Sequence, residues 1–196
     1  EIISRTKLKR FVQIGSSDEY GNAKSPQKES IKEAPISPYS FAKTSSTYFL
    51  QMLHRTENFP AATLRLFLTY GPGQDKKRFI ASIIDGCLKH SKFPVSLGQQ
   101  IRDFCYIEDT VEAILATLLS DNSNGQIFNV ASGVPVTIKS VIEKIKKTIG
   151  KGEPQFGKVP YKVGENMSLY ADISKIKKVL KWKPKTSFEE GIKKTI

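Results

Sequence analysis

Two short apolar runs joined by a single helix-length segment constrain this chain most. The first, in "KRFVQIGSS", covers Phe11 to Gly15 and ends in the small hydroxyl residues Ser16 and Ser17. The second, in "AATLRLFLTYGPGQ", covers Ala61 to Leu68 and is broken by Gly71, Pro72 and Gly73. Short apolar runs bounded by turn residues read as strands. Between them lies a loop from Tyr20 to Ile36, rich in Lys, Ser, Pro and Glu, and then a helix start: Ser37 suits the N-cap and Pro38 the first helical position. The pattern predicts a helix from Pro38 to about Glu57. Two strands separated by a helix cannot form a tight hairpin. They are parallel neighbours joined by a right-handed crossover. Phe11 to Gly15 is apolar on both faces, which suits the interior of a parallel sheet.

The remaining elements keep the same class. "KRFIASIIDGCLKH" reads as a helix, "FPVSLG" as a short extended piece, and the second half of "IRDFCYIEDTVEAILATLLS" as a helix entered through Glu108 and Asp109. "GQIFNVASG" is a further strand with a small-residue end. "TIKSVIEKIKKTIG" predicts an amphipathic helix with Thr137 as N-cap and Gly150 as stop. Two short helices close the chain, around Ser174 to Leu180 and Ser187 to Lys194, separated by "KWKPKT". The fold class is α/β. No repeat or low-complexity segment interrupts it.

Composition excludes several function classes. With 196 residues, 39% of them hydrophobic, the chain can bury a real core as one domain or a domain with a small companion. No apolar run reaches the length of a membrane span, and no signal peptide opens the sequence, so no membrane partner is expected. The net charge of +12 asks for an anionic partner. The lysines, however, fall on helix faces such as "IEKIKKTIGK" and "ISKIKKVLKWKPK", where they read as solvated surface. No nucleic-acid motif accompanies them, and a small phosphorylated substrate satisfies the charge. Cys87 and Cys105 lie in apolar sequence and read as buried thiols of a reducing, cytoplasmic setting. His54 and His90 have no partner at ligand spacing, so no metal site is expected.

Within "SPYSFAKTSS", Tyr39 and Lys43 share one face of the predicted helix. A phenol alone holds its proton too tightly for transfer at neutral pH, and a neighbouring ammonium favours the phenolate. Such a pair is a route to a general acid/base, although at this spacing it also occurs as ordinary helix surface. Its position separates the two readings. In open α/β sheets ligands sit at the carboxyl ends of strands, where Ser16 and Ser17 stand, and the helix that follows brings Tyr39.

The blocks "FVQIGSSDEYG", "SPYSFAK", "LRLFLTYGPGQ", "RDFCYIEDTVEAI", "FNVASG" and "DISKIKKVLKWKPKTSFEEGIKKTI" occur in that order. Together they resemble the extended short-chain dehydrogenase/reductase family, in its nucleotide-sugar epimerase/dehydratase branch, over nearly the whole chain from Phe11 to Ile196. The resemblance implies the C-terminal part of a Rossmann-like parallel sheet plus a small mixed α/β substrate-binding lobe. Residues 1–72, with about 100–131 returning to them, would form the Rossmann-like part, and 73–99 with 132–196 the nucleotide-sugar-binding lobe. It also implies NAD or NADP as cofactor, a nucleotide-sugar substrate and a homodimer in the full-length protein. The family's Tyr-x-x-x-Lys motif falls on Tyr39 and Lys43, which would both act in catalysis and hold the nicotinamide ribose. Counting back from Gly21, the family's catalytic Ser or Thr falls on Ser16, which otherwise reads as a capping serine. Ser17 and Asp18 fall where the substrate is bound. Arg102 matches an arginine that contacts a phosphate, its alternative being a surface ion pair with Asp103 or Glu108, and Lys162 stands where many members have a second such arginine.

The departures direct the choice of reaction. Leu68 replaces an asparagine that many members carry. The acidic pair that dehydratases use after the catalytic residue is Ser17 and Asp18 here, an altered pair. The segment "GSSDEYG" is similar to deoxysugar 4-keto reductases. These readings favour a 4-epimerase, with a 4-keto-6-deoxysugar reductase next and a dehydratase after it. The family's Gly-rich phosphate turn is absent from this sequence, which reads as the C-terminal part of a longer protein whose upstream half supplies the other neighbours of the strand Phe11 to Gly15. On that reading the isolated chain binds no dinucleotide tightly and has no turnover.

Overall fold

The first apolar run forms β1 (Phe11–Ser16), followed by a single 3-10 turn at Ser17–Tyr20 and the long loop to α1 (Pro38–Glu57). The structure is a computed structural model and describes residues 8–89 and 92–196, so His90 lies outside the described residues. At the start of α1, Ser37 Oγ accepts from the Ser40 N–H (3.1 Å) and Ser40 Oγ from the Ser37 N–H (2.9 Å). This reciprocal cap satisfies two backbone donors that the helix cannot. Asn58 ends α1 in the left-handed region, and the chain returns as β2 (Ala61–Leu66).

β1 and β2 are parallel, in register from Phe11 opposite Ala61 to Ser16 opposite Leu66. The second apolar run is not the single strand its sequence predicts. β2 stops at Leu66, Phe67 is buried with its N–H on the Val130 carbonyl (3.0 Å), and β3 (Leu68–Tyr70) begins a different pairing. The cause is a change of partner. β2 pairs in parallel with β7 (Ile127–Val130), which ends at Val130, and beyond it β3 pairs with β6 (Phe104–Tyr106). The main sheet thus has the order β1-β2-β7. Among the described residues β1 has a neighbour on one edge only, and Ile14 is 36% exposed.

The rest follows the sequence pattern closely. α2 (Phe79–Leu88), β4 (Lys92–Pro94), β5 (Ile101–Arg102) and α3 (Ile107–Leu119) come next in the chain, and β8 (Val136–Thr137) leads into α4 (Ile138–Ile149). Thr137 Oγ1 accepts from the Ser140 N–H (3.1 Å), and Gly150 closes α4 at φ 80°. β9 (Glu153–Gln155), β10 (Ser168–Leu169), α5 (Ser174–Leu180) and α6 (Phe188–Thr195) complete the chain. β10 and β8 flank β5 in a small mixed sheet, and β4 pairs with β9.

Two large apolar cores result, beside a small third cluster of Leu50, Phe59 and Ala61. One lies beneath the main sheet, with Leu64, Phe128, Val130, Ala113, Ile176 and Trp182. The other, with Tyr70, Ile84, Cys87, Phe104, Val141 and Ile145, joins α2 and α4 to β3 and β6. Both cysteines are free and buried, and burial raises the pKa of each thiol. Asp109 stands in the first turn of α3, as the sequence predicts, and has a second role. It is buried and accepts from the backbone N–H groups of Lys185 (2.9 Å) and Thr186 (3.1 Å), tying the C-terminal loop to α3.

Candidate functional site

The sharp turn after β1 brings the site residues together. Ser16 has extended backbone and its Oγ accepts from the Asp18 N–H (3.1 Å), while the turn ends at Gly21 with φ 56°. A Cβ at Gly21 would collide with the Ala34 carbonyl, so both the dihedral and the space require glycine. The turn and the first two turns of α1 face a cavity of about 700 Å³ at the carboxyl end of the main sheet. Ser16, Ser17, Asp18, Tyr39 and Lys43 all line it.

Tyr39 is 55% exposed, and its hydroxyl bonds to no described residue. Lys43 Nζ lies 5.7 Å from the Tyr39 ring centroid and donates to the Ile14 carbonyl of β1 (2.8 Å). One donor position of the ammonium is thereby committed to the sheet, and two remain. Ser16 is a capping residue and a cavity residue at once. Its oxygen accepts the Asp18 N–H, which leaves the O–H free to donate into the cavity. Desolvation raises the pKa of Asp18, although the residue as a whole is exposed, and the charge of Arg78 opposes the shift. Leu68 also lines the cavity, so an apolar side chain stands at that departure from the family pattern.

The cavity also has walls that the motifs did not indicate. Thr69, Gln74 and Arg78 come from β3 and the approach to α2, where the sequence shows only a Gly-Pro-Gly turn and a charged helix start. Gln74 Nε2 donates to the Thr69 carbonyl (2.9 Å), which fixes that segment against the cavity.

Arg102 and Lys162 do not line this cavity. The expected surface partners of Arg102 are not its partners. Its Nη2 pairs with Glu165 (2.7 Å) and its Nη1 donates to the Ile101 carbonyl (2.9 Å). Asp103 is instead buried and takes the N–H and O–H of Ser132 (2.7 and 2.6 Å) and the N–H of Gly133 (2.9 Å), while Glu108 pairs with Lys194 (3.2 Å). Lys162 is exposed in a turn, where its carbonyl accepts the Glu165 N–H (3.0 Å).

Behind the cavity is a buried charged cluster that sequence reading missed. Arg65 of β2 is fully buried, with its Nε on Glu19 Oε2 (3.0 Å) and its Nη2 on Glu33. Its guanidinium lies 4.6 Å from the Tyr20 ring centroid. Burial pushes the Tyr20 phenol up to about 12 against the pull of Arg65, and its hydroxyl donates to Asn129 (2.8 Å). Burial also raises the Glu33 pKa, but hydrogen bonds from Tyr48 and Arg65 outweigh it and hold the carboxyl below its ordinary range. An arginine inside an apolar strand was the available signal for this cluster.

The fold is that of the extended short-chain dehydrogenase/reductases in their nucleotide-sugar epimerase/dehydratase branch, and the chain belongs to that family. The family model described as GDP-mannose 4,6 dehydratase matches residues 1–195. The chain is 30% identical to a UDP-glucuronate 4-epimerase of Thermodesulfobacterium geofontis, over all of this chain and 61% of the relative. A dTDP-glucose 4,6-dehydratase of Shigella flexneri is 28% identical over 98% of this chain and 58% of its own length. A solved UDP-glucuronic acid 4-epimerase from Bacillus cereus, in complex with UDP-glucuronic acid and NAD, superposes with a TM-score of 0.88 at 30% identity, over 97% of this chain and 61% of that one. The chain therefore spans about three fifths of the length of the relatives it matches.

The donor chemistry at the cavity fits a nicotinamide ribose. The two uncommitted donor positions of Lys43 and the unpaired Tyr39 hydroxyl stand together at its rim.

Proposed function

We propose that this chain carries the acid/base centre of an NAD(P)-dependent nucleotide-sugar 4-epimerase. The observation that supports this most directly is the shared cavity of Tyr39, Lys43 and Ser16 at the sheet's carboxyl end. A bound nicotinamide would supply the hydride acceptor and donor. Tyr39 takes the proton of the sugar hydroxyl as that carbon is oxidised to a ketone, and returns it on reduction. Ser16 donates its free O–H to the same oxygen, and Lys43 holds the ribose. A cavity of about 700 Å³ gives a sugar ring room to turn and present its other face. Arg102, released from Glu165, and Lys162 bind the phosphates of the nucleotide. A second copy of the chain is the proposed partner, because Phe41, Tyr48, Phe49 and Met52 are exposed along α1.

A second reading, dehydration, is favoured by one observation. Asp18 lines the cavity with its pKa raised by desolvation, a carboxyl suited to hold and donate a proton. The full-length protein, incubated with UDP-glucuronic acid, UDP-glucose or dTDP-glucose, separates the readings by its products. We expect a 4-epimer with no net change in NADH absorbance. A 4-keto-6-deoxy product would establish the dehydratase, and stoichiometric NADPH consumption on a 4-keto sugar the reductase. Tyr39→Phe is expected to lower turnover about a hundredfold or more with the fold retained. Full activity in that variant removes the proposed centre.

A further inference from the structure

Glu19 is fully buried at the back of the turn that carries Ser16, and each of its two oxygens is committed. Oε1 accepts the Ser16 backbone N–H (2.9 Å). Oε2 accepts the Thr47 hydroxyl (3.0 Å) from α1 and the Arg65 Nε (3.0 Å) from β2. Three elements therefore meet on one carboxylate. Gly15 makes room for it, since a Cβ there would stand 2.5 Å from Oε1. Thr47 lies two turns along α1 from Tyr39, on the buried side of the helix.

Burying an ion pair costs more than apolar packing of the same volume would. A cluster whose only task was to join β2 to α1 would gain nothing from being charged. What charge supplies here is direction, because hydrogen bonds to a carboxylate are short and angularly defined. The bond to the Ser16 N–H, at the residue where the strand ladder ends, is the return arm of the capping box that starts the 3-10 turn. Arg65 orients the carboxylate through its Nε, and Glu33, held by Tyr48 of α1 (2.6 Å), takes its other arm.

We propose that Glu19 is a positioning residue that sets the Ser16 hydroxyl against Tyr39 by holding the end of β1 and the middle of α1 on one carboxylate. This rests on the reading of Ser16 and Tyr39 given above. It assigns to the second acidic residue of "SSDEYG" a place behind the site, whereas Asp18 stands in the cavity.

The test is a double-mutant cycle in the full-length protein, assayed with UDP-glucuronic acid and NAD. Glu19→Gln cannot accept from both Ser16 N–H and the Thr47–Arg65 side, because its amide presents donors on one arm. It should lower kcat about tenfold with KM within twofold. In a Ser16→Ala background the same change should cost less than twofold, since the hydroxyl it positions is gone. Amide exchange of the peptide spanning residues 15–21 should quicken about tenfold in Glu19→Gln while β2 stays protected. An equal loss of kcat in both backgrounds, with exchange unchanged, overturns the proposal. If Glu19→Gln does not fold, Thr47→Val takes its place. It removes one donor, leaves the ion pair, and should lower kcat about threefold only while Ser16 is present; a loss independent of Ser16 overturns the proposal as well. Should Ser16→Ala and Tyr39→Phe each retain full activity, the reading of the site itself has failed, which is a different result from two impaired single variants whose effects are additive.

Discussion

Arg65 and Arg102 are both arginines largely withdrawn from water, and they differ in every other respect. Arg65 is fully buried between two carboxylates from the turn and loop after β1, and it stacks on Tyr20. Arg102 keeps 12% of its side chain exposed and has one carboxylate partner, Glu165, itself 22% exposed. Burial lowers the Arg102 pKa, and Glu165 opposes the shift. The first arrangement leaves the Arg65 Nη1 buried without a hydrogen-bond partner, and it cannot release its carboxylates without leaving charge in the core. The second can exchange one anion for another at the surface. An arginine's role is thus read from the escape route of its partner and not from its burial alone.

Removing each arginine in the full-length protein tests that difference. The largest effect should come from Arg65→Ala, which strands Glu19 as a buried carboxylate and leaves the half-buried Glu33 without its cation. Loss of one partner from a buried pair costs about 3–5 kcal/mol, and urea denaturation should show it. Arg102→Ala should cost only about 1 kcal/mol in the same assay, because Glu165 can turn to water. Equal losses in the two variants would erase the distinction. In the activity assay, Arg102→Ala should raise KM for the nucleotide sugar about tenfold with kcat little changed, as expected for a group binding a phosphate remote from the reacting carbon. An unchanged KM removes Arg102 from the substrate site. The smallest effect belongs to Glu165→Gln. If Glu165 occupies the place of the phosphate, weakening its hold should lower KM about threefold. A raised KM would make Glu165 a support for Arg102 and not a competitor.

The sequence reading recovered the elements well because their signals are local. Ser37 and Pro38 start α1, Thr137 and Gly150 bound α4, and both pairs mark ends that cap geometry fixes within a turn. Tyr39 and Lys43 were legible for the same reason, since four residues of helix place them side by side. The break at Phe67 was not legible. Nothing in "AATLRLFLTYG" marks it, because it arises where β7 runs out as a partner and β6 takes over. The partner of Arg102 was missed in the same way, with Glu165 lying 63 positions away in sequence.

By itself, then, the sequence determined the α/β class, the strand–helix–strand crossover and the residue types of the candidate centre, all set by periodicity, capping and the short reach of a helical turn. Only the tertiary structure decided which groups face the cavity. Asp18 and Glu19 are chain neighbours of like charge, and the fold sends one into the cavity and the other onto Arg65. The reason is physical. A tight turn points successive side chains in different directions, and burying a carboxylate is tolerable only where donors meet it, which for Glu19 include a cation from another strand. That cation sits 46 residues from Glu19, and only the parallel pairing of β1 with β2 brings it there.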